Sequence, residues 1–424
     1  MTSPILPAVV VGIDTPIGLT VVRDLGRHGV PVYGIARKPE AVGMHSRYLH
    51  RGLVRPPTAD GLINQIVALG EELGQACLFV ISEGDIALFN HHRGRLGAFK
   101  CLFADTPQLD SVLDKGLTYV AAAKVGIRAP RTAVIERMDQ VAPLRTSLRF
   151  PIVLKWANPP EASRLLGPFG VTPEKTRYCQ TPDELEDYLR RFEPAGIYPL
   201  IQEYVPGNGL GQFVLMKDGQ AHYTFQHTRV HEWPPEGGTS SLCESVPAHQ
   251  HHALMDQSIA LLRELGWEGV AMVEYRYDPA TGESALMEIN GRFWGSLPLA
   301  YHAGASFPYL YYRLFGLGLP IDPQPYRSGV RCRYMVPETK RLARILFAPH
   351  KIPDRKISFK RIPELLSYMA DFVRPNSYYF VFDRRDPQPF IEDVRQILGK
   401  IVGGRKNKVA SIPEPVVQKK GAGS

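Results

Sequence analysis

The stretch Met287-Glu288-Ile289-Asn290-Gly291-Arg292-Phe293-Trp294-Gly295-Ser296 puts an acid, an amide and a guanidinium at every second position. Side chains of a strand alternate faces with period two. Glu288, Asn290 and Arg292 therefore share one face, and Met287, Ile289 and Gly291 share the other, core-directed one. Just upstream, "GVAMVEYRY" reads as a second strand, and "DPATGES" over 278–284 as the loop of a hairpin. Folding about that loop sets Glu274 opposite Glu288. Like charges directly opposite destabilise a sheet, so two such acids must share a proton or a cation. Mg²⁺ commonly takes one or two carboxylates together with the phosphates of a nucleotide. Glu274, Glu288 and the Asn290 amide oxygen supply such a set, and Arg292 reaches anionic oxygen one step beyond. The competing reading is a solvated edge hairpin whose Glu and Arg residues pair.

Other residues bear on that choice. Lys155 stands in the apolar strand "PIVLKWA", where an ammonium is costly to bury without a partner, and a phosphate is one. Lys115 in "LDKGL" is a second candidate cation, although helix-surface lysines are common. Gln202 and Val205 in "LIQEYVPG" lie where a strand exits and its main chain is free to meet a flat heterocycle.

The elements that must position these residues follow from periodicity. "AVVVGIDTPIGLTVVRDLGRHGVPVYGIAR" reads strand, turn, helix, strand, a βαβ opening. It does not carry the dinucleotide fingerprint: Asp14 stands at the second glycine position of G-x-G-x-x-G and would crowd a pyrophosphate. A further helix ("GLINQIVALGEELG") and strand ("ACLFVI") follow, ending in Ser82-Glu83-Gly84-Asp85. Those residues either face a substrate or cap the next helix. From residue 111 the chain reads helix ("DSVLDKGLTYVAAAK"), strand, strand, a Thr181-capped helix, strand, helix, hairpin and an aromatic helix ("SFPYLYYRLFGLGLP").

Bulk numbers narrow the class. The chain has 424 residues, 44% of them hydrophobic, which suits two to three globular domains. No apolar run is long enough to span a bilayer, and the N-terminal stretch reads as a first strand, not a leader. Five scattered cysteines point to reduced, cytoplasmic thiols and not to a disulfide or zinc framework. The net charge of +8 is concentrated in part in the last residues, 401–424, read as a basic disordered tail; no motif supports nucleic-acid binding.

In order, "LDKGLTYVAAAKVGIRAPRT", "PIVLKWA", "PLIQEYVPG", "GVAMVEYRY" and "LMEINGRFWGS" resemble the ATP-grasp superfamily, over about residues 111–300. The chain is similar to its carboxylate–amine ligase branch, with D-aspartate ligase-like and, more distantly, biotin carboxylase-like character. The resemblance implies an α/β and α+β architecture: an N-terminal Rossmann-like domain over 1–110, an ATP-grasp domain of two subdomains over 111–320 with nucleotide between them, and a C-terminal α+β extension over 321–400. It implies Lys115 and Lys155 on the nucleotide phosphates, and Gln202 with the main chain of Glu203 and Val205 at the adenine. Glu274, Glu288 and Asn290 become ligands of Mg²⁺, for which Mn²⁺ could substitute. Arg292 stabilises the transferred phosphoryl group together with Lys155. Arg229 and Gly237-Gly238-Thr239, in "TRVHEWPPEGGTSS", contact the acyl phosphate or carboxylate. The flap over 157–176 departs from the family pattern: it is longer than usual and has only Gly167 and Gly170, with Arg164 as a stand-in for main-chain contacts.

The activity so implied is ATP-dependent amide-bond formation between a small carboxylate and an amine, through an acyl phosphate, with ADP and phosphate as products. Its rivals are a biotin carboxylase-like activator of bicarbonate and a nucleotide-binding regulator without turnover. Three roles stay open for the segment after Pro320 besides core packing: covering the site, forming a homodimer, or touching a membrane surface through its aromatic and basic groups.

Overall fold

The computed structural model describes residues 5–156, 159–174, 176–352, 354 and 359–402. The basic tail expected over 401–424 lies, from residue 403 on, outside the described residues, as do 157, 158 and 175 of the flap.

The βαβ opening is β1 (Ala8–Val11), α1 (Pro16–Arg27) and β2 (Val32–Ala36). It is followed by β3 (Arg51–Val54), α2 (Ala59–Leu73), β4 (Ala76–Val80), α3 (Glu83–His91) and β5 (Phe99–Leu102). The strands form a parallel sheet in the order β3-β2-β1-β4-β5. Gly12, at φ +101°, turns the chain out of β1, and a Cβ on Gly18 would lie 2.4 Å from its carbonyl oxygen, so only glycine permits this approach of α1. These glycines serve packing; Asp14 beside them accepts the main-chain N–H of Arg37 at 2.8 Å. The edge strands β3 and β5 carry half-exposed residues that blunt their sequence signal.

The stretch read as a single helix is two, α4 (Thr106–Leu113) and α5 (Lys115–Lys124), divided at Asp114. The Asp114 carboxylate caps α5 by accepting the N–H groups of Gly116 and Leu117 at 2.7 and 3.1 Å. Next come β6 (Thr132–Ala133), α6 (Val141–Ser147), β7 (Ile152–Lys155), α7 (Pro159–Leu166), β8 (Thr176–Cys179), α8 (Pro182–Arg190) and β9 (Leu200–Glu203). Their strands make a small antiparallel sheet, β6-β9-β7-β8, with a hydrophobic cluster of its own that includes Ile152, Leu154, Leu189 and Ile201.

The large sheet begins with β10 (Asn208–Lys217), β11 (Gln220–Trp233) and β12 (Thr239–Ser245). After α9 (His252–Glu264) the expected hairpin forms from β13 (Gly269–Tyr277) and β14 (Ser284–Asn290). Helices α10 (Leu297–Ala303) and α11 (Phe307–Tyr311), the latter running into a π-turn over Tyr312–Gly316, join the core between this sheet and the N-terminal one. The C-terminal extension supplies β15 (Arg331–Arg333), α12 (Met335–Phe347), α13 (Arg361–Ala370), β16 (Ser377–Tyr379) and α14 (Gln388–Val402). Its strands complete a seven-stranded sheet, β14-β13-β10-β11-β12-β15-β16. The chain also closes on itself. Arg23 of α1 donates to Asp386 at 2.9 Å, both fully buried, and Ser46 donates to the same carboxylate at 2.7 Å.

The five cysteines are free, four of them buried. Among the described residues no helix is long and apolar enough to cross a membrane.

Candidate active site

A cleft of about 310 Å³ lies between the small sheet and the large one, lined by Lys155, Gln202 and Val205 from one side and Arg229, Arg276 and Met287 from the other. Strand alternation explains the small-sheet wall. Ile152 and Leu154 enter the cluster behind, so Val153 and Lys155 face the cleft. Lys155 makes no hydrogen bond or ion pair among the described residues. Burial pushes its ammonium down to about 8; Lys115 and Arg276 add to that push, and Glu288 and Glu274 oppose it. Four charged residues named from sequence or lining the cleft thus act on Lys155. Lys115 is the first residue of α5, at the positive end of the helix dipole, an unfavourable position for a cation unless an anion shares it.

The residues placed near a heterocycle divide by function. The Gln202 side-chain amide donates to Tyr119 at 3.3 Å and Thr132 at 3.2 Å, so it ties β9 to α5 and β6. The Glu203 carboxylate accepts from Arg128 at 2.6 Å and from the Arg131 N–H at 3.1 Å. Val205 follows the end of β9, and its N–H and C=O have no main-chain partner among the described residues.

On the large-sheet side the hairpin register is the one the sequence implies: Glu274 pairs directly with Glu288. Asn290 Nδ2 donates to Glu288 Oε1 at 3.3 Å, which leaves the Asn290 amide oxygen open. Burial pushes Glu274 up to about 6, with Glu288 and Glu232 adding to the rise and Arg229 and Arg276 opposing it. Arg229 donates to Glu274 through Nη2 and to Glu232 through Nη1 at 3.0 Å. Burial disfavours the Arg229 charge, but these two carboxylates outweigh it and hold the guanidinium ionised. Arg276 donates to Glu232 at 2.9 Å and to the Gly207 carbonyl at 3.1 Å. Bulges in β11 on either side of His231 aim Arg229 and Glu232 into this network. Gly209 leaves room for it, since a Cβ there would lie 2.6 Å from Arg229 Cδ. Gly238 accepts from Arg229 at 3.0 Å through its carbonyl, and Thr239 opens β12.

Two expectations for the opening stretch change in the structure. A bulge between Glu274 and Tyr275 sets Tyr275 against Leu286, so Met287 is the extra residue and lines the cleft instead of entering the core. Strand β14 ends at Asn290, and Arg292 therefore lies beyond the alternation. Its Nε donates to Glu83 at 2.9 Å and its Nη1 to the Phe293 carbonyl at 3.0 Å, while Nη2 makes no hydrogen bond among the described residues. Ser82 caps α3 by accepting the Asp85 N–H, so the capping reading of that turn holds while Glu83 also meets Arg292.

Sequence reading missed Arg276 and Glu232. A signal for Arg276 existed, because it stands two residues after Glu274 on the same strand face. It also missed the contribution of α12. Arg341 lines the cleft, and Glu338 accepts from His231 and Ser241 at 2.6 Å each. Burial raises the Glu338 carboxyl, and the His231 and Ser241 hydrogen bonds and charges outweigh it to hold the group below its ordinary value.

Among the described residues no group of three or more His, Cys, Asp or Glu is placed to hold a metal alone. Among the described residues the open oxygens are Glu274 Oε1, Glu288 Oε2 and Asn290 Oδ1. Such an incomplete, all-oxygen set suits a hard cation that brings phosphate ligands with it.

Residues 200–337 match a family model described as "ATP-grasp in the biosynthetic pathway with Ter operon". The chain is 25% identical over 226 residues to the D-aspartate ligase of Enterococcus faecium, a match covering 51% of this chain and 52% of that protein. It spans about half the length, or less, of the curated relatives it matches. Among solved structures, the ADP complex of N5-carboxyaminoimidazole ribonucleotide synthetase superimposes with a TM-score of 0.59 at 15% identity, over 82% of this chain and 88% of that one. The biotin carboxylase domain of Hydrogenobacter thermophilus 2-oxoglutarate carboxylase, in complex with MgADP and bicarbonate, gives 0.58 at 13% identity, over 77% and 74%. The family model over residues 200–337, the curated relatives and the shared fold all point the same way: the chain is similar to ATP-grasp proteins.

Proposed function

We propose that the chain is an ATP-dependent carboxylate–amine ligase that forms an amide bond through an acyl phosphate. The observation that carries this reading is that Lys155, which lines the cleft and has no partner among the described residues, feels the charge of two acids opposed across a hairpin, with an open amide oxygen beside them. The missing complement of that arrangement is a polyphosphate carrying a divalent cation, and D-aspartate ligase among the relatives makes a carboxylate–amine substrate pair the natural extension.

Lys155 and Lys115 hold the phosphates, and the main chain of Glu203 and Val205 meets the adenine edge, with Gln202 bracing the strand. Glu274, Glu288 and Asn290 are the residues that would hold Mg²⁺, whose charge would neutralise the phosphate oxygens. Arg292 uses Nη2 toward the transferred phosphoryl group while Glu83 fixes its plane. Arg229 and the Gly237–Thr239 turn receive the substrate carboxylate. One carboxylate oxygen attacks the γ-phosphorus and ADP leaves; the amine then attacks the acyl carbon, and inorganic phosphate departs as the amine loses a proton. Most of the rate enhancement is positioning and charge stabilisation, so no Ser, Cys or His nucleophile is required.

The test is incubation with Mg·ATP, pooled carboxylates and hydroxylamine. Formation of hydroxamate with equal ADP is expected. Nucleotide binding without hydroxamate from any carboxylate would leave the fold and remove the ligase reading.

A further inference from the structure

Helix α13 is inside-out. The residues it turns toward the protein are polar. Glu364 binds Arg341 at 2.9 Å, the Tyr368 hydroxyl meets Thr339 at 2.8 Å, and Asp371, just past the helix, binds Arg331 at 3.1 Å. The residues it turns outward are apolar: Ile362 is 72% exposed, Leu366 63% and Met369 56%, and Val373, just past the helix, is 85% exposed. Ile362, Leu366 and Met369, four and three residues apart, form one stripe along the helix. A surface helix ordinarily shows the reverse, and a continuous apolar stripe on an exposed face marks an interaction site.

Charge says what kind of surface meets it. Lys360 and Arg361 at the start of the helix are exposed, as are Lys340 on α12 and Lys351 in the connection between the two helices, whereas Glu338, Asp354, Glu364 and Asp371 of the same region are buried or ion-paired inward. The outer face is therefore apolar along its ridge and cationic at its margins. A two-fold contact with a second copy would set these cations against themselves. We propose that this face of α13 docks in the plane of an anionic lipid surface, the apolar stripe entering the headgroup boundary and the cations meeting lipid phosphates. Helix α12, which contributes Arg341 to the cleft, packs directly beneath α13, so the docked face backs onto the wall of the active site.

The experiment is co-sedimentation of the full chain with vesicles of phosphatidylcholine alone and of phosphatidylcholine mixed with phosphatidylglycerol. Binding to the anionic vesicles about tenfold or more stronger than to the neutral ones is expected, falling as salt is raised. The Leu366→Asp/Met369→Asp double variant and the Lys351→Glu/Lys360→Glu double variant should each lose it, with unfolding midpoint and hydroxamate formation in free solution unchanged. Equal binding to neutral vesicles overturns the charge argument. Binding that survives the Asp substitutions belongs to other basic segments and overturns the proposal. So does absence of binding, including the case in which light scattering shows a dimer that the Asp substitutions dissolve, for then the stripe is an interface between copies.

Discussion

The two walls of the cleft solve the burial of charge in opposite ways. On the small-sheet wall Lys155 has no partner among the described residues, and its ammonium is pushed down to about 8. On the large-sheet wall the acids are surrounded by guanidinium: Arg229 holds Glu274 and Glu232, and Arg276 holds Glu232. An unpartnered buried ion reports the sign of the ligand it is built for, here an anion. A partnered acid reports less, because a guanidinium and a divalent cation are alternative partners for the same carboxylate. Glu288 differs from Glu274 and Glu232 in this respect. It faces Glu274 in register, and among the described residues its carboxylate accepts from the Asn290 amide and pairs with no arginine.

The largest effect should therefore come from Glu288→Gln. It keeps the hydrogen bond with Asn290 and removes the charge. Turnover should fall about 10²–10³-fold or more, read as ADP and hydroxamate formation, as expected when a group stabilising transition-state charge is lost. Turnover at the unaltered rate would mean the acids are a solvated edge after all. Next is Arg292→Ala, expected to lower kcat about 10²-fold while nucleotide affinity stays nearly constant, the signature of an interaction made only in the transition state. A matching loss of nucleotide affinity would place Arg292 at the ground-state phosphates instead.

Lys155 sharpens the contrast through pH. Its free ammonium titrates at about 8, and a bound phosphate raises that value, so binding takes up a proton above it. Nucleotide affinity should be constant below about 8 and decline as pH rises through it; Lys155→Arg should remove the decline. On the opposite wall the sign is reversed. Glu274 titrates at about 6 with Arg229 beside it, so a cation competes with a proton only below that pH. In Arg229→Met the chief opposing charge is gone and the carboxyl rises further. Metal dependence measured by ADP release should then weaken, on lowering pH, earlier than in the unaltered protein. Curves that overlay would show that Arg229 does not control Glu274.

How much of this was legible in the sequence follows from range. The hairpin and its register were legible because period-two alternation and a Gly-containing loop fix them locally. The bulge at Met287 was not, because an extra residue in a ladder has no mark of its own in composition. The Glu83–Arg292 pair joins residues 209 apart, and neither pattern names the other. Asp114 before Lys-Gly did carry a helix-cap signal, but unbroken helical periodicity on both sides hid the division. In the C-terminal region β15 and β16 are three residues each, too short for alternation to register, and α13 shows a clear helical stripe whose outward direction only packing reveals.

The smallest effect tests how finely the small-sheet wall is divided between side chain and main chain. Glu203 is assigned its main chain alone, and its carboxylate is engaged with Arg128 at 2.6 Å and the Arg131 N–H at 3.1 Å. Arg128 is 42% exposed and the Glu203 side chain 26%, so solvent screens the pair and its worth is at most about 1 kcal/mol. Glu203→Gln retains an acceptor for the Arg131 N–H and keeps the strand. Nucleotide affinity by titration calorimetry should stay within about twofold, with at most about 1 kcal/mol lost in denaturant unfolding. A tenfold or greater loss of affinity would mean that the carboxylate turns into the cleft when nucleotide enters, and the small-sheet wall would then hold an acid of its own beside Lys155.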